Sequence, residues 1–468
     1  MVSTAANDAP RYRAPCYDNV LQTIGRTPLI ELRRLDTGPC RLFVKLENQN
    51  PGGSIKDRIG LAMVEAAERD GRIQPGGTLI EATAGNTGLG LALVAAQKGY
   101  RLILVIPDKM SQEKIFHLRA LGAEIRLTRS DVGKGHPEYY QDIAERLAME
   151  IPNSFYINQF SNPANPLAHE MVTGPEIWEQ MDHDLDAVVC GVGSGGTLSG
   201  LGRFFQRVAP RVEMVLADPV GSILNDLVNT GKAAEAGSWL VEGIGEDFVP
   251  PNCDLGLVRK AYAISDRESF HTAREVLRLE GILGGSSAGT LVAAALKYCR
   301  DQTREKRVVT FICDSGNKYL SKMYNDFWML DQGLMERPRQ GDLTDLISRR
   351  YAEGHAVTVA PEDTLGIVYR RMKLYEVSQL PVIEHERVIG IIDESDLLLA
   401  VQSDPTRFNS PVRQAMVAKV ETVAPSAPLS DLQAIFARDH VAVVEQDGRF
   451  LGLITKIDLL NQLRQSIG

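Results

Sequence analysis

No apolar run in this 468-residue chain is long enough to cross a bilayer; the best candidate breaks at Gln97-Lys98-Gly99-Tyr100-Arg101. The first fifteen residues lack the basic-then-apolar pattern of a signal peptide. No membrane partner and a cytoplasmic location are therefore expected. A basic excess is missing too. The net charge is −9, whereas proteins that grip phosphate backbones are basic, so nucleic acid is not an expected partner. Metal-ligand spacing is absent as well. Cys16, Cys40, Cys190, Cys253, Cys299 and Cys313 form no CxxC pair, and the eight histidines form no HxxxH or HExxH. No metal site is expected, and scattered cysteines suit a reducing compartment. What remains is an ordinary folded composition, 44% hydrophobic and 24% charged. The length exceeds one core and calls for two to four domains.

Residues 1–20 are irregular and read as an arm. From 21 to 330, short β-branched runs alternate with helix-period segments. Strands are expected at 78–82, 102–106, 124–127, 155–159, 187–190, 214–217 and 308–312. Helices are expected at 88–98, 112–121, 167–180 and 198–208. This βαβα rhythm predicts an α/β fold of parallel sheets covered by helices, with ligands at the C-terminal ends of the strands. Residues 331–350 are polar, carry both charge signs and read as a linker with a short helix near 342–349. Beyond it lies an internal repeat. Val357-Thr358-Val359-Ala360-Pro361 matches Val420-Glu421-Thr422-Val423-Ala424-Pro425, and Gly390-Ile391-Ile392-Asp393 matches Gly452-Leu453-Ile454-Thr455. The copies, about 351–402 and 412–468, each read extended segment, helix, strand, strand, helix. Neither is large enough to bury both faces of its sheet alone, so they should pair.

Four stretches carry chemistry. Lys56, in Asn50-Pro51-Gly52-Gly53-Ser54-Ile55-Lys56-Asp57-Arg58, sits between a strand and a helix start. An amine among helix N-terminal dipoles holds its proton less tightly and can condense with an aldehyde. Taken alone it reads as a solvated surface lysine. Thr83-Ala84-Gly85-Asn86-Thr87-Gly88 is a βα turn whose backbone N–H groups suit a carboxylate; an ordinary tight turn is the plain alternative. Gly191-Val192-Gly193-Ser194-Gly195-Gly196-Thr197 follows a strand and opens a helix. It satisfies GxGxxG, and Asp218 lies where a dinucleotide fingerprint needs an acid, so a nicotinamide dehydrogenase and a phosphate-monoester site both fit it. Leu283-Gly284-Gly285-Ser286-Ser287-Ala288-Gly289-Thr290 is a fourth loop at a helix start. A lysine, a phosphate loop, a carboxylate loop and an isolated hydroxyl are the parts that hold pyridoxal phosphate and an amino acid. The dehydrogenase reading leaves Lys56, Asn86 and Ser287 without roles.

These motifs resemble the fold-type II pyridoxal-phosphate enzymes of the cystathionine β-synthase and cysteine synthase group. The resemblance runs from about residue 20 to 328, on SIKDR at 54–58, TAGNTG at 83–88, GVGSGGT at 191–197, EGIG at 242–245 and GGSSAG at 284–289. The repeat resembles a tandem pair of CBS domains, a Bateman module, and its fusion points to the cystathionine β-synthase branch. The resemblance implies pyridoxal 5'-phosphate bonded through Lys56, its phosphate held by Gly193, Ser194, Gly195, Gly196 and Thr197, its ring hydroxyl met by Asn86 and its ring nitrogen by Ser287. A neutral hydroxyl at Ser287, rather than a carboxylate, favours β-elimination over transamination. Thr83, Ala84, Asn86, Thr87 and Gln159, with Gly243 and Gly245, would receive the substrate. The implied reaction replaces the hydroxyl of L-serine with L-homocysteine, giving L-cystathionine, with hydrogen sulfide released from cysteine plus homocysteine as a side activity. A homo-oligomer, dimer or higher, is also implied.

Several positions depart from that pattern. Ala84 stands where many relatives carry Ser. Phe160 and Glu246 stand where the animal and yeast synthases commonly carry Tyr, and Gln159-Phe160-Ser161-Asn162-Pro163 looks more like a cysteine synthase. An O-acetylserine sulfhydrylase with a regulatory module is therefore the alternative enzyme. An inactive enzyme body carrying a nucleotide sensor is the alternative of another class. Cys16 has no nearby His, so no haem is expected, and Arg207-Val208-Ala209-Pro210 replaces the animal redox CxxC. In the repeat, Thr455 with Asp458, and Asp396 with Asp393, occupy the positions that bind an adenosine ribose in Bateman modules. Asp393 would repel a polyphosphate, whereas S-adenosylmethionine is cationic at sulfur. A module that binds nothing and only sets assembly is the plain alternative.

Overall fold

The computed structural model describes residues 16–83, 85–108, 112–129, 131–132 and 135–467. The chain divides into two compact units that part between Tyr324 and Asn325. The first is α/β and carries two sheets. A six-stranded sheet runs Leu29–Leu32, Arg41–Leu46, Arg307–Ile312, Ala187–Cys190, Glu213–Pro219, Val258–Ile264 in space. Only its first pair is antiparallel. A four-stranded parallel sheet runs Glu124–Thr128, Arg101–Pro107, Thr78–Glu81, Ser154–Tyr156. The central strands are near-continuous apolar runs, as burial on both faces demands: every residue of Ala187–Cys190 is buried, and so is each of 308–312. The Ser286–Arg300 helix is buried almost all round and packs on Asp266–Glu280, which Ser265 caps by accepting from Glu268 N.

Two expected elements changed. The strand expected at 155–159 stops at Tyr156. Side-chain amides draw the following backbone away: Asn162 Nδ2 donates to Ile157 O, and Asn165 Nδ2 and Asn252 Nδ2 both donate to Gln159 O. The single helix expected at 167–180 is three pieces, Ala164–Ala168, a π-helical turn His169–Thr173, and Gly174–Gln180. The wide turn inserts a residue and re-aims His169, as such bulges do near functional sites. The Leu29–Leu32 and Val258–Ile264 strands were not singled out from the pattern.

The second unit holds the repeat. Gln379–Glu384 pairs antiparallel with Arg387–Asp393 in the first copy, and Ala442–Gln446 with Arg449–Ile454 in the second. Each copy has its own apolar core, around Leu365, Val368 and Val382 in one and Leu432, Ala442 and Val444 in the other. Within the stretch read as a linker, Leu343–Leu346 is a short 3-10 turn, and Leu343, Leu346 and Ile347 join the second core.

One packing contact bears on the site. The Lys56–Arg69 and Asn86–Lys98 helices cross where Gly90 meets Lys56; a β-carbon at Gly90 would lie 2.8 Å from Lys56 O. Gly90→Ala is therefore expected to cost about 1–3 kcal/mol, read as a lower urea midpoint, and to reduce turnover because the displaced atom belongs to Lys56. Unchanged midpoint and turnover would show that this crossing does not position the lysine.

Candidate active site

The site begins at the loop between Arg41–Leu46 and the helix that Lys56 opens. Ile55 N donates to Cys313 O at 2.9 Å and Ser54 bridges Asp314, so the loop is tied to the end of the Arg307–Ile312 strand. Burial lowers the pKa of the Lys56 amine, against the pull of Cys313, Asp314 and Glu246. Among the described residues no hydrogen bond engages Lys56 Nζ. It is a primary amine, on a half-buried side chain, biased toward its neutral, nucleophilic form.

Just beyond it lies a buried ion cluster. Arg58 Nε and Nη2 donate to Glu47 at 2.7 and 2.8 Å, and Nη1 donates to Glu176 Oε2 at 2.9 Å. Lys45 Nζ donates to Glu176 Oε1 at 2.6 Å and to Thr27 O at 2.7 Å. Burial would raise the Glu47 pKa; Arg58 and Lys45 reverse this and lower it. The cluster joins a strand, a turn, the Lys56 helix and the Gly174–Gln180 helix.

Three further loops converge on Lys56. Asn86, at a helix start, donates from Nδ2 to Asp314 Oδ2 at 2.8 Å and accepts on Oδ1 from Lys318 Nζ at 2.6 Å. Its amide orientation is thereby fixed from both ends. Thr87 Oγ1 donates to Gln159 Oε1 at 2.6 Å. The glycine loop precedes the Gly196–Val208 helix, and Gly195 takes φ +82°, a conformation L side chains rarely adopt. A β-carbon at Gly193 would come within 2.5 Å of Gly243 O. Beneath this loop Asn165 Nδ2 donates to Ser194 Oγ at 2.9 Å, and Thr197 Oγ1 lies 3.2 Å from His169 Nε2. Burial, then Lys56 and Arg58, hold the His169 pKa well below its ordinary value, so the ring is neutral. Ser287 is buried in the first turn of Ser286–Arg300.

These loops enclose a cavity of about 260 Å³. Lys56, Thr83, Asn86, Thr87, Gln159, Gly193, Ser194, Gly195, Gly196, Thr197, Gly243, Gly245 and Ser287 all line it. Ala84 lies outside the described residues. Phe160 and Glu246 line the cavity as well, whereas Asp218 does not. Asp218 is fully buried, and its Oδ2 accepts from Asn225 N at 2.8 Å. The acid that fitted a dinucleotide fingerprint thus serves the start of the next helix. The sequence reading missed Asp314, Lys318, His169 and Asn165. Asp314 and Lys318 directly follow a parallel strand, and the rule that ligands gather there was the available signal.

In the second unit a cavity of about 530 Å³ lies between the two copies. Thr455 and Asp458 line it; Asp396 is not among its lining residues. Asp458 Oδ2 accepts from Thr455 N and Oγ1, and Ser348 Oγ donates to Asp458 Oδ1. Asp396 is closed into a reciprocal cap with Asp393, each carboxylate accepting from the other's backbone N–H at 3.1 and 2.8 Å.

Comparison with known proteins agrees with this geometry. A family model described as pyridoxal-phosphate dependent enzyme matches residues 20–314, and CBS domain models match 345–403 and 412–465. A cystathionine beta-synthase of Dictyostelium discoideum is 37% identical over 96% of this chain and 93% of its own. That of Saccharomyces cerevisiae is 35% identical over 95% and 97%. Among solved structures, a hydrogen sulfide-producing enzyme from Fusobacterium nucleatum is 36% identical with a TM-score of 0.61, covering 65% of this chain and 100% of that one. An O-ureido-L-serine synthase is 34% identical with a TM-score of 0.62, covering 69% and 98%. The residues fit the cofactor of the matched family. The Lys56 amine lines the cavity without a hydrogen-bond partner among the described residues. The glycine loop has no room for β-carbons, and its backbone faces the cavity at a helix N-terminus. No helix among the described residues is long and apolar enough to cross a membrane.

Arg58→Met keeps the bulk but leaves the buried Glu47 carboxylate without its main partner. It is expected to cost about 3–5 kcal/mol, measured as a fall in the urea midpoint at neutral pH. A loss below about 1 kcal/mol would mean that Glu47 finds other compensation.

Proposed function

Because the chain belongs to the cystathionine β-synthase family of pyridoxal-phosphate-dependent enzymes, we propose that it replaces the hydroxyl of L-serine with L-homocysteine to give L-cystathionine. Hydrogen sulfide release from cysteine plus homocysteine is the proposed side activity. The observation that carries this reading is the Lys56 amine opening onto one cavity with the glycine loop and the Thr87–Gln159 pair. When bound, pyridoxal phosphate supplies an aldehyde that bonds an amine and a ring that takes up the electron pair left at Cα.

The chain's own residues do the rest. Lys56 anchors the cofactor. Backbone N–H groups at 193–197 and the Thr197 hydroxyl hold its phosphate, with neutral His169 behind Thr197 adding no charge. Asn86 presents an amide whose orientation Asp314 and Lys318 fix. Ser287 offers a neutral hydroxyl to the ring nitrogen. Thr83, Thr87 and Gln159 orient the substrate carboxylate. Once the substrate amine displaces it, Lys56 Nζ takes the Cα proton and delivers a proton to the departing hydroxyl oxygen. Later it returns one to Cα.

Phe160 and Glu246 in the cavity favour a second reading, O-acetylserine sulfhydrylation, because the stretch around Phe160 is similar to cysteine synthases. Turnover with serine plus homocysteine is expected to exceed turnover with O-acetylserine plus sulfide; the reverse order would favour the second reading. Lys56→Ala is expected to abolish the visible cofactor band and to lower turnover by about 1,000-fold or more. Survival of both would remove the lysine from the mechanism.

For the second unit the proposed ligand is an adenosine-type molecule held at Thr455 and Asp458. The closed Asp393–Asp396 cap argues that Asp396 is not a second contact. Titration calorimetry with S-adenosylmethionine, AMP and ATP is expected to give heat with at least one, lost in Asp458→Asn. No heat with any would leave a module that serves assembly alone. A homo-oligomer, dimer or higher, is also proposed. Leu167, Met171 and Val172, exposed at 47%, 60% and 52%, support a covered face on the first unit.

A further inference from the structure

One carboxylate in the cavity has no task so far. Glu246 lines the same space as Lys56. Its backbone is pinned on both sides: Glu246 N donates to Ser222 Oγ at 3.1 Å, and Glu246 O accepts from Ile223 N at 3.1 Å. The preceding turn is equally fixed, because Gly245 N donates to Val192 O at 2.8 Å and Trp239 Nε1 donates to Ile244 O at 3.1 Å. Its side-chain carboxylate, by contrast, has no hydrogen bond among the described residues. A rigid backbone thus presents an uncommitted carboxyl group to the reaction space, as a site built for proton transfer requires.

We propose that Glu246 takes the proton from the sulfur of the second substrate and passes it to Lys56. This makes Glu246 the residue that admits an S–H nucleophile. The proposal rests on the β-replacement reading above. The balance is complete. In the first half-reaction the Cα proton passes through Lys56 and leaves with the hydroxyl as water, so Lys56 ends neutral. In the second, the S–H bond breaks toward the Glu246 carboxylate and the thiolate electron pair forms the new C–S bond at the β-carbon. The proton then moves from Glu246 to Lys56 and from Lys56 to Cα. The proton that arrives on sulfur ends on carbon, and no oxidant or further reactant is needed.

The electrostatics favour this path. Burial raises the Glu246 pKa to about 8, with Asp247 and Asp218 adding to the rise and Lys56 opposing it. Tyr139, Tyr140 and Cys253 also feel its charge. A free thiol ionises near ~8.5, so transfer to such a carboxylate is almost balanced. A glutamate at its usual ~4.3 would leave the proton on sulfur by about 10⁴-fold. Glu246 and Lys56 line one cavity, and the charge of each shifts the pKa of the other.

The test uses the holoenzyme and Glu246→Gln, with Glu246→Asp as the variant that keeps the acid. For Glu246→Gln, the rate of sulfur addition is expected to fall about 100-fold relative to exchange of the serine Cα proton with solvent, which needs only Lys56. The parent's rate should rise with pH through about 8; Glu246→Asp should keep that limb, whereas the deficit of Glu246→Gln should shrink above ~8.5, where the thiol ionises unaided. In the cofactor-free protein, infrared difference spectra should show a protonated carboxyl that titrates in the same range and vanishes in Glu246→Gln. An unchanged ratio with an unchanged limb, or no such carboxyl, would overturn the proposal. Failure of the β-replacement reading looks different: the parent itself would prefer O-acetylserine and sulfide. The same ratio and limb measured with hydrosulfide then decide the role of Glu246.

Discussion

The Arg58 guanidinium, taken out of water, constrains the rest of the catalytic unit. A buried cation and a buried carboxylate each lose several kcal/mol of hydration, and their attraction repays this only when the geometry is good and the remaining donors and acceptors are filled. Here both conditions hold. Glu47 is met by Arg58, by Thr27 Oγ1 at 2.7 Å and by Asn50 Nδ2 at 2.8 Å, and Glu176 is shared between Arg58 and Lys45. The four charged groups lie on four different segments, so the cluster can be satisfied only when strand, turn and both helices are in register. Arg58 stands two residues after Lys56. The register that satisfies the ions is therefore also the register that aims the amine.

From that fixed point the site is assembled by close approach. Gly90 lets the Asn86–Lys98 helix touch the carbonyl of Lys56 itself. Gly193 lets the glycine loop meet the Gly243 turn. Asp314 bridges Ser54 on one side and receives Asn86 and Tyr319 on the other, so the end of one strand binds two loops. The cavity walls are backbone and short side chains held in place by neighbours. Such walls suit a reaction in which a cofactor does the electronic work and the protein must hold atoms still.

Much of this was legible from the residues. The βα rhythm located the strands because parallel strands buried on both faces are continuous apolar runs. The four loop motifs located the cavity because glycine-rich turns at strand ends leave backbone N–H groups free. What escaped has physical reasons. The π-helical turn at His169–Thr173 keeps an apolar spacing that reads as ordinary helix, and one inserted residue leaves no mark in a 3.6-residue pattern. The strand after Ser154 was cut short by amides of Asn162, Asn165 and Asn252, two of them within ten residues and one about a hundred away. Asp314 and Lys318 form no motif with Asn86, since more than two hundred positions separate them and only the fold brings them together. Leu343 and Leu346 looked like linker because two isolated leucines among charges carry no periodicity.

Two acids show how little a local pattern decides. Asp218 completed a dinucleotide fingerprint by position, yet it points into protein and serves a helix start, outside the cavity. Glu246 belonged to no motif and differed from the relatives' pattern, yet it faces the reacting space beside Lys56. The glycine loop is the same in either interpretation, because any phosphate at a helix N-terminus asks for the same backbone. The chemistry is decided by which titratable group shares a cavity with that loop. A ribose would need an acid there; an aldehyde would need an amine, and Lys56 is the amine that lines the cavity.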